Sequence, residues 1–77
     1  MRQFLLIKIE RRENTALNVQ QVLTTYGSSI LVRLGLHEQE TSSEGIIFLE
    51  VDPKGPITNM VNSLESLAGV TVKLIEM

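Results

Sequence analysis

The sequence predicts an α+β fold, a four-stranded antiparallel sheet that carries both of its helices on one face. Three observations lead there. The chain reads twice as strand, helix, strand, over residues 3–37 and again over 45–77. Each half holds one stretch with the 3.6-residue apolar period of an amphipathic helix, set between segments with strand character. At 77 residues there is room for one domain, spanning 1–77, with one modest core. Elements in that order bury their apolar positions as two layers.

The elements follow in turn. Residues 4–10 (FLLIKIE) are rich in branched and aromatic side chains and end in charge, which reads as a strand. Arg11, Arg12 and Glu13 form a turn, and Asn14 is a good N-cap because its side-chain oxygen accepts from a free amide of the first helical turn. A helix over 15–25 places Ala16, Val19, Leu23 and Tyr26 on one stripe, with Val22 beside them. Gly27 is expected to end it in the left-handed conformation. Residues 30–37 form the second strand and residues 38–44 (EQETSSE) a polar, acidic connection. Residues 46–51 form the third strand. Pro53, Gly55 and Pro56 mark the next turn, with Pro56 just inside the second helix, where its missing N–H costs nothing. That helix lines up Ile57, Met60, Val61, Leu64, Leu67 and Ala68. Gly69 closes it, and residues 70–75 are the last strand.

Alternation assigns a helix-facing layer of Leu5, Ile7, Ile9, Ile30, Val32, Leu34, Ile47, Leu49, Val51, Val70, Val72 and Leu74. The opposite face then carries Phe4, Leu6, Leu31, Ile46, Phe48 and Ile75 among Lys8, Arg33, Glu50 and Lys73, with Arg33 placed to pair with Glu50 or with a partner chain. A wet sheet face should be polar. An apolar patch rimmed by charge marks a contact surface, so Phe4, Leu6, Leu31, Arg33, Phe48 and Ile75 are the expected interface of a homo-oligomer, a dimer or a tetramer.

Composition excludes several functions. With no cysteine there is no disulfide framework, thiolate metal site, iron–sulfur cluster or thiol nucleophile. A net charge of −2 and no basic run longer than Arg11-Arg12 argue against direct contact with nucleic acid. The RNA-recognition motif shares the βαββαβ order and would use aromatics such as Phe4 and Phe48, but its basic, aromatic-rich run is missing. No apolar run approaches the ~20 residues that span a bilayer, and the N-terminal stretch meets Lys8 and Glu10 too soon for a signal peptide. A cytoplasmic protein without membrane contact is expected.

Three segments carry a resemblance: Ser29-Ile30-Leu31-Val32-Arg33-Leu34-Gly35, Gly45-Ile46-Ile47-Phe48-Leu49, and Leu67-Ala68-Gly69-Val70-Thr71-Val72-Lys73. Together they resemble the iron-only hydrogenase system regulators, small proteins of the wider ACT-like group. The resemblance covers most of the chain, from about Phe4 onward. It implies a ferredoxin-like βαββαβ fold, homo-oligomerisation through sheets and a regulatory role without catalysis. ACT domains that bind amino acids use an acidic residue and a glycine at the first strand-to-helix turn. Here that turn (residues 10–14) has no glycine, whereas Asp52-Pro53-Lys54-Gly55-Pro56-Ile57 has the acid-x-x-Gly-x-aliphatic pattern.

For a small ligand the candidate residues are Arg11, Arg12 and Asn14 at the first turn and Asp52, Lys54 and Gly55 at the second, where cationic side chains and free helix amides favour an anion or carboxylate. The internal repeat predicts that the two turns lie opposite one another at a pocket or subunit boundary. His37, beside Glu38 and Glu40, is the one histidine, so a metal site would need ligands from several chains. No nucleophile–base pair, phosphate loop or cleft-forming carboxylate pair is present, so no catalytic residue and no cofactor are expected. The reading is a non-enzymatic regulatory module that senses a ligand at a subunit interface. The alternatives are an assembly module without a ligand and a metal sensor using His37.

The acidic connection has no large apolar residue to anchor it and is expected to be the most mobile part of the chain. Removing two or three residues between Glu40 and Ser43 should change unfolding free energy by less than about 1 kcal/mol, because loop-closure entropy varies slowly with length. Denaturant unfolding that shows a loss of several kcal/mol would mean the segment is packed.

Overall fold

The structure is a computed structural model and describes residues 1–10, 15–37 and 44–77. Among these residues the chain forms β1 (Gln3–Glu10), α1 (Thr15–Thr25), β2 (Ile30–His37), β3 (Glu44–Val51), α2 (Ile57–Glu65) and β4 (Val70–Glu76). The strands make one antiparallel sheet in the order β2-β3-β1-β4. This is the ferredoxin-like α+β arrangement that the sequence predicts. The Asn14 cap, its neighbours Arg11 and Arg12, and the acidic connection over 38–43 lie outside the described residues.

The core lies between sheet and helices. Alternate residues of the two central strands, Leu5, Ile7 and Ile9 on β1 and Ile47, Leu49 and Val51 on β3, are buried under the helices. Val19 and Leu23 of α1 and Ile57, Met60 and Leu64 of α2 close over them. These spacings are the 3.6-residue stripes read in the sequence. Two positions differ at the start of α1: Thr15 is buried and Ala16 is exposed.

The main departure is in β2. Ile30 pairs with Val51, but Val32 pairs with Glu50, so Leu31 is an extra residue opposite one step of β3. This β-bulge exchanges the two faces of the strand. Ile30 stays on the helix side and is half-buried. Val32 and Leu34, predicted for the helix side, share the register of Glu50 and Phe48 and stand on the open face. Arg33, predicted for the open face, is opposite Leu49 on the helix side, where it donates to the side-chain oxygen of Gln20 in α1. It does not meet Glu50, whose carboxylate holds Arg2 instead.

Local chemistry explains the ends of the helices. The Thr24 and Thr25 hydroxyls donate back to the carbonyls of Gln20 and Gln21, at 2.9 and 3.0 Å, at the last turn of α1. Gly27 does not take the left-handed conformation predicted for it. It opens a 3₁₀ turn over Gly27–Ser29 that leads directly into β2. Gly69 does take it, with φ of 81°, as the reversal after α2 requires. Pro56 precedes α2 rather than opening it, and its carbonyl accepts from Met60 N–H at 3.0 Å. β3 begins two residues earlier than predicted because Glu44 and Gly45 continue the ladder opposite Glu10 and Ile9.

The β3–α2 turn is tied to the start of β2. Asp52 N–H donates to the Ser29 carbonyl at 2.8 Å, and Gly55 packs against buried Ser29. A Cβ on Gly55 would lie 2.6 Å from Ser29 Oγ, 2.9 Å from Ser29 Cβ and 3.2 Å from the Asp52 carbonyl oxygen. Gly55→Ala should therefore destabilise the fold by about 1–3 kcal/mol through overpacking. Ser29→Gly in the same chain should recover part of that loss, because it removes the clashing atoms. Urea unfolding of the two single variants and the double variant measures the coupling. Strictly additive losses would show that the contact is absent.

Candidate functional site: the open sheet face

The residues that could act on a partner gather on the sheet face away from the helices. Burial of Leu5, Ile7 and Ile9 against the helices fixes Phe4, Leu6 and Lys8 of β1 on the open side. The register adds Ile46, Phe48 and Glu50 from β3, Thr71, Lys73 and Ile75 from β4, and, through the bulge, Val32 and Leu34 from β2. Val32 is 49% exposed, Leu34 52% and Ile75 37%, while Phe4, Leu6, Ile46 and Phe48 are half-buried by one another. The Phe4 and Phe48 rings stack with centroids 5.5 Å apart, within the range of favourable aromatic pairs.

One end of this face is closed by Arg2. Its Nε and Nη2 donate to the two oxygens of Glu50 at 2.8 and 2.7 Å, and its guanidinium lies 5.4 Å from the centre of the Phe4 ring. The bidentate fork holds the guanidinium in one place, and the ring offers it a favourable face. The hydrogen bond from Arg2 is the main cause that holds the Glu50 carboxyl below its ordinary range. Partial burial opposes it, and the nearby positive charge adds to it.

Phe4, Leu6, Phe48 and Ile75 thus share one surface, as the sequence predicts. Leu31 is at the bulge on the sheet edge and is 58% exposed. Arg33 is on the other side of the sheet and leaves the group. Val32 and Leu34 join it. Their alternation was legible in the sequence, but nothing there marks Leu31 as the extra residue.

Of the ligand candidates, Arg11, Arg12 and Asn14 lie outside the described residues, and Asp52, Lys54 and Gly55 are at the β3–α2 turn. Glu10, where the chain leaves β1 toward Arg11, Arg12 and Asn14, pairs with Glu44, and Val51, where β3 leads toward Asp52, pairs with Gln3. The two turns therefore start from opposite ends of the sheet, seven ladder steps or about 24 Å apart. The described strand ends that lead into the two turns thus face away from one another, because β1 and β3 run antiparallel. At the second turn, Asp52 Oδ1 accepts from Lys54 N–H at 2.9 Å, and the Asp52 carbonyl accepts from Gly55 N–H at 2.9 Å. The space beside Gly55 is filled by Ser29. His37 is the last residue of β2, and its side chain lies outside the described residues. Among the described residues no group of three His, Cys, Asp or Glu could hold a metal ion. No helix among them is long and apolar enough to cross a membrane. A shallow concavity of about 310 Å³ lies between the helices, lined by Asn18, Gln21, Val22, Thr25, Tyr26, Ser63 and Leu67, and holds none of the predicted ligand residues.

No protein-family profile and no curated protein matches the chain. Solved structures do. An uncharacterised protein from Thermotoga maritima is 29% identical with a TM-score of 0.83, over 96% of this chain and 92% of that one. A formyltetrahydrofolate deformylase from Pseudomonas putida matches all of this chain with 29% of its own length, at 12% identity and a TM-score of 0.63. A candidate antibiotic biosynthesis monooxygenase from Deinococcus radiodurans matches over 97% of this chain and 91% of its own, at 13% identity and a TM-score of 0.52. The last two likenesses establish the fold alone.

The Arg2–Glu50 pair gives the face a pH signature. A carboxyl with a lowered folded-state pKa contributes stability that is present above the unfolded value of about 4.3 and is lost as pH falls through the folded value. The melting-temperature gap between the wild type and Arg2→Met should be constant above about pH 5 and shrink below it. A gap equal at pH 3 and pH 7 would show that the pair does not form in solution.

Proposed function

We propose that this chain is a non-enzymatic, ACT-like regulatory module of the iron-only hydrogenase regulator type, working in the cytoplasm as a homo-oligomer joined through its open sheet face. The observation that carries the reading is that face: Phe4, Leu6, Val32, Leu34, Ile46, Phe48 and Ile75 form one apolar surface across four strands. Four strands at ~4.8 Å spacing and eight residues at ~3.4 Å rise give it a plan area of roughly 500 Å². Side-chain relief raises the accessible area above that, toward the ~800 Å² per partner of a stable interface. A surface of that size left open is an aggregation liability.

The sequence resemblance to the hydrogenase regulators supports the regulatory part, and the ferredoxin-like fold is compatible with it. In this reading a small ligand binds between subunits and alters how they pack. Because β1 and β3 run antiparallel, the ends from which the two strand-to-helix turns leave are at opposite ends of the sheet, and the reading places the ligand between turns of neighbouring subunits. An assembly module with no ligand is the second reading, favoured by the packing of Ser29 into the space beside Gly55.

Sedimentation tests the assembly. The wild type should run at a multiple of its 8.6 kDa chain mass, and Leu34→Asp or Phe48→Asp should lower that mass by half or more. Leu34 makes the sharper test, since at 52% exposed its change leaves the core untouched. A wild type that stays monomeric at high concentration would end the proposal. Melting temperatures taken with amino acids, nucleotides and divalent metals separate the two readings, since a ligand of the folded state raises the midpoint.

A further inference from the structure

The helix layer carries a surface without charge. No residue from Asn14 to Val32 is charged, and none from Gly55 to Leu64. Soluble surfaces ordinarily carry about a quarter to a third of charged side chains. What the two helices offer instead is amides and hydroxyls: Asn18, Gln21 and Thr25 are exposed on α1, and Asn59 and Asn62 on α2. The concavity of about 310 Å³ between the helices lies within this layer, and no charged side chain lines it. An uncharged surface is cheap to take out of water, since no ion has to lose its hydration.

The lining has a polar rim and a more apolar interior. Asn18, Gln21 and Thr25 share one face of α1 at the spacing of successive turns. Val22, Tyr26, Ser63 and Leu67 are half-buried and form the inner part. The Thr25 hydroxyl donates to the Gln21 carbonyl at 3.0 Å and has no donor left. The side-chain amides of Asn18 and Gln21 have no hydrogen-bond partner among the described residues. Tyr26 Oη and Ser63 Oγ are 3.5 Å apart, the outer limit of a hydrogen bond, so both hydroxyls are free to take a better partner.

We propose that this concavity binds an uncharged nucleobase, free or carried on a nucleoside. Each unpartnered carboxamide holds a donor and an acceptor side by side. It matches a heterocycle edge that sets an acceptor next to a donor, as Asn and Gln do with adenine. Val22, Leu67 and the Tyr26 ring supply the apolar and aromatic contact that a planar ring needs. A space of about 310 Å³ is at the low end of ligand clefts, roughly 300–1,000 Å³, and suits one ring system. A base within a nucleic-acid strand is disfavoured, because no cation lines the space to meet a phosphate. The site lies within one chain and does not depend on assembly through the open face.

Nuclear magnetic resonance of the full chain tests it, with adenosine and uridine as probes. At least one of the two should shift, saturably, the side-chain amide signals of Asn18 and Gln21 and the ring signals of Tyr26, the one tyrosine. Gln21→Leu or Asn18→Leu, both at exposed positions away from the core, should weaken binding about tenfold, the loss of one bidentate pair. Asn59→Ala, outside the lining, should leave it unchanged. Adenosine monophosphate should bind no more tightly than adenosine. Leu34→Asp should bind as the wild type does, whatever its assembly state, which separates this site from the open face. No saturation by either nucleoside up to roughly 10 mM would overturn the proposal. So would binding that neither Gln21→Leu nor Asn18→Leu weakens, and so would a monophosphate that binds more tightly than adenosine, since that places the site at a cation elsewhere.

Discussion

The position of β1 between β3 and β4 is the constraint on which the rest of the fold depends. A strand with neighbours on both sides has its backbone groups paired along its length, so it can be buried without orphaned N–H or C=O groups. Leu5 and Ile7 are fully buried there, and each contributes about 1.5–3 kcal/mol by leaving water. Both helices must cross over this pair of central strands to cover them, and that requirement draws α1 and α2 to the same side. The open face is the remainder: the side of the sheet with no helix to cover it.

The bulge at Leu31 decides how that remainder is composed. Without it, Val32 and Leu34 would extend the helix-side layer at an edge that α1 covers incompletely, and Arg33 would stand among the phenylalanines. With it, the cation is withdrawn to Gln20 on the helix side and two aliphatic side chains are added to the open face. One inserted residue therefore raises the apolar content of the open face while leaving the core complete, since Ile30 precedes the bulge and keeps its place. The same insertion makes β2 a poor edge for further pairing.

The element order, the stripes of α1 and α2 and the buried positions of β1 and β3 were legible in the sequence because each rests on a local period. The face of β2 was not. Alternation in residues 30–37 establishes that Val32 and Leu34 share a side, but a period of two is blind to which side, and one extra residue reverses the answer. Gly27 illustrates a related limit. Glycine is suited to a left-handed stop, yet the chain needed only a 3₁₀ turn there, and any glycine can supply that as well. The internal repeat was a poor guide to how the two leading strand ends are placed. A repeat conserves the local junction, but it says nothing about strand direction in the shared sheet, and here the two leading strands run opposite ways. Of the open face, Phe4, Leu6, Phe48 and Ile75 were readable. Gly55 stands in the sequence as a ligand candidate, whereas in the structure its smallness lets it pack beside Ser29.

The ladder between Arg2 and Met77 has a consequence for how this unit can be carried by other polypeptides. The first and last backbone segments are neighbours in the sheet, about 4.8 Å apart, and they exchange hydrogen bonds in both directions. A longer chain that contained such a unit would enter and leave it through almost the same point, so the host backbone need open only by one strand width. Joining the ends by a short linker would likewise give a ring whose cut could be moved to another surface turn. The fold is therefore portable: its stability lies in closed ladders and a two-layer core, and the place where the polypeptide begins is incidental to both.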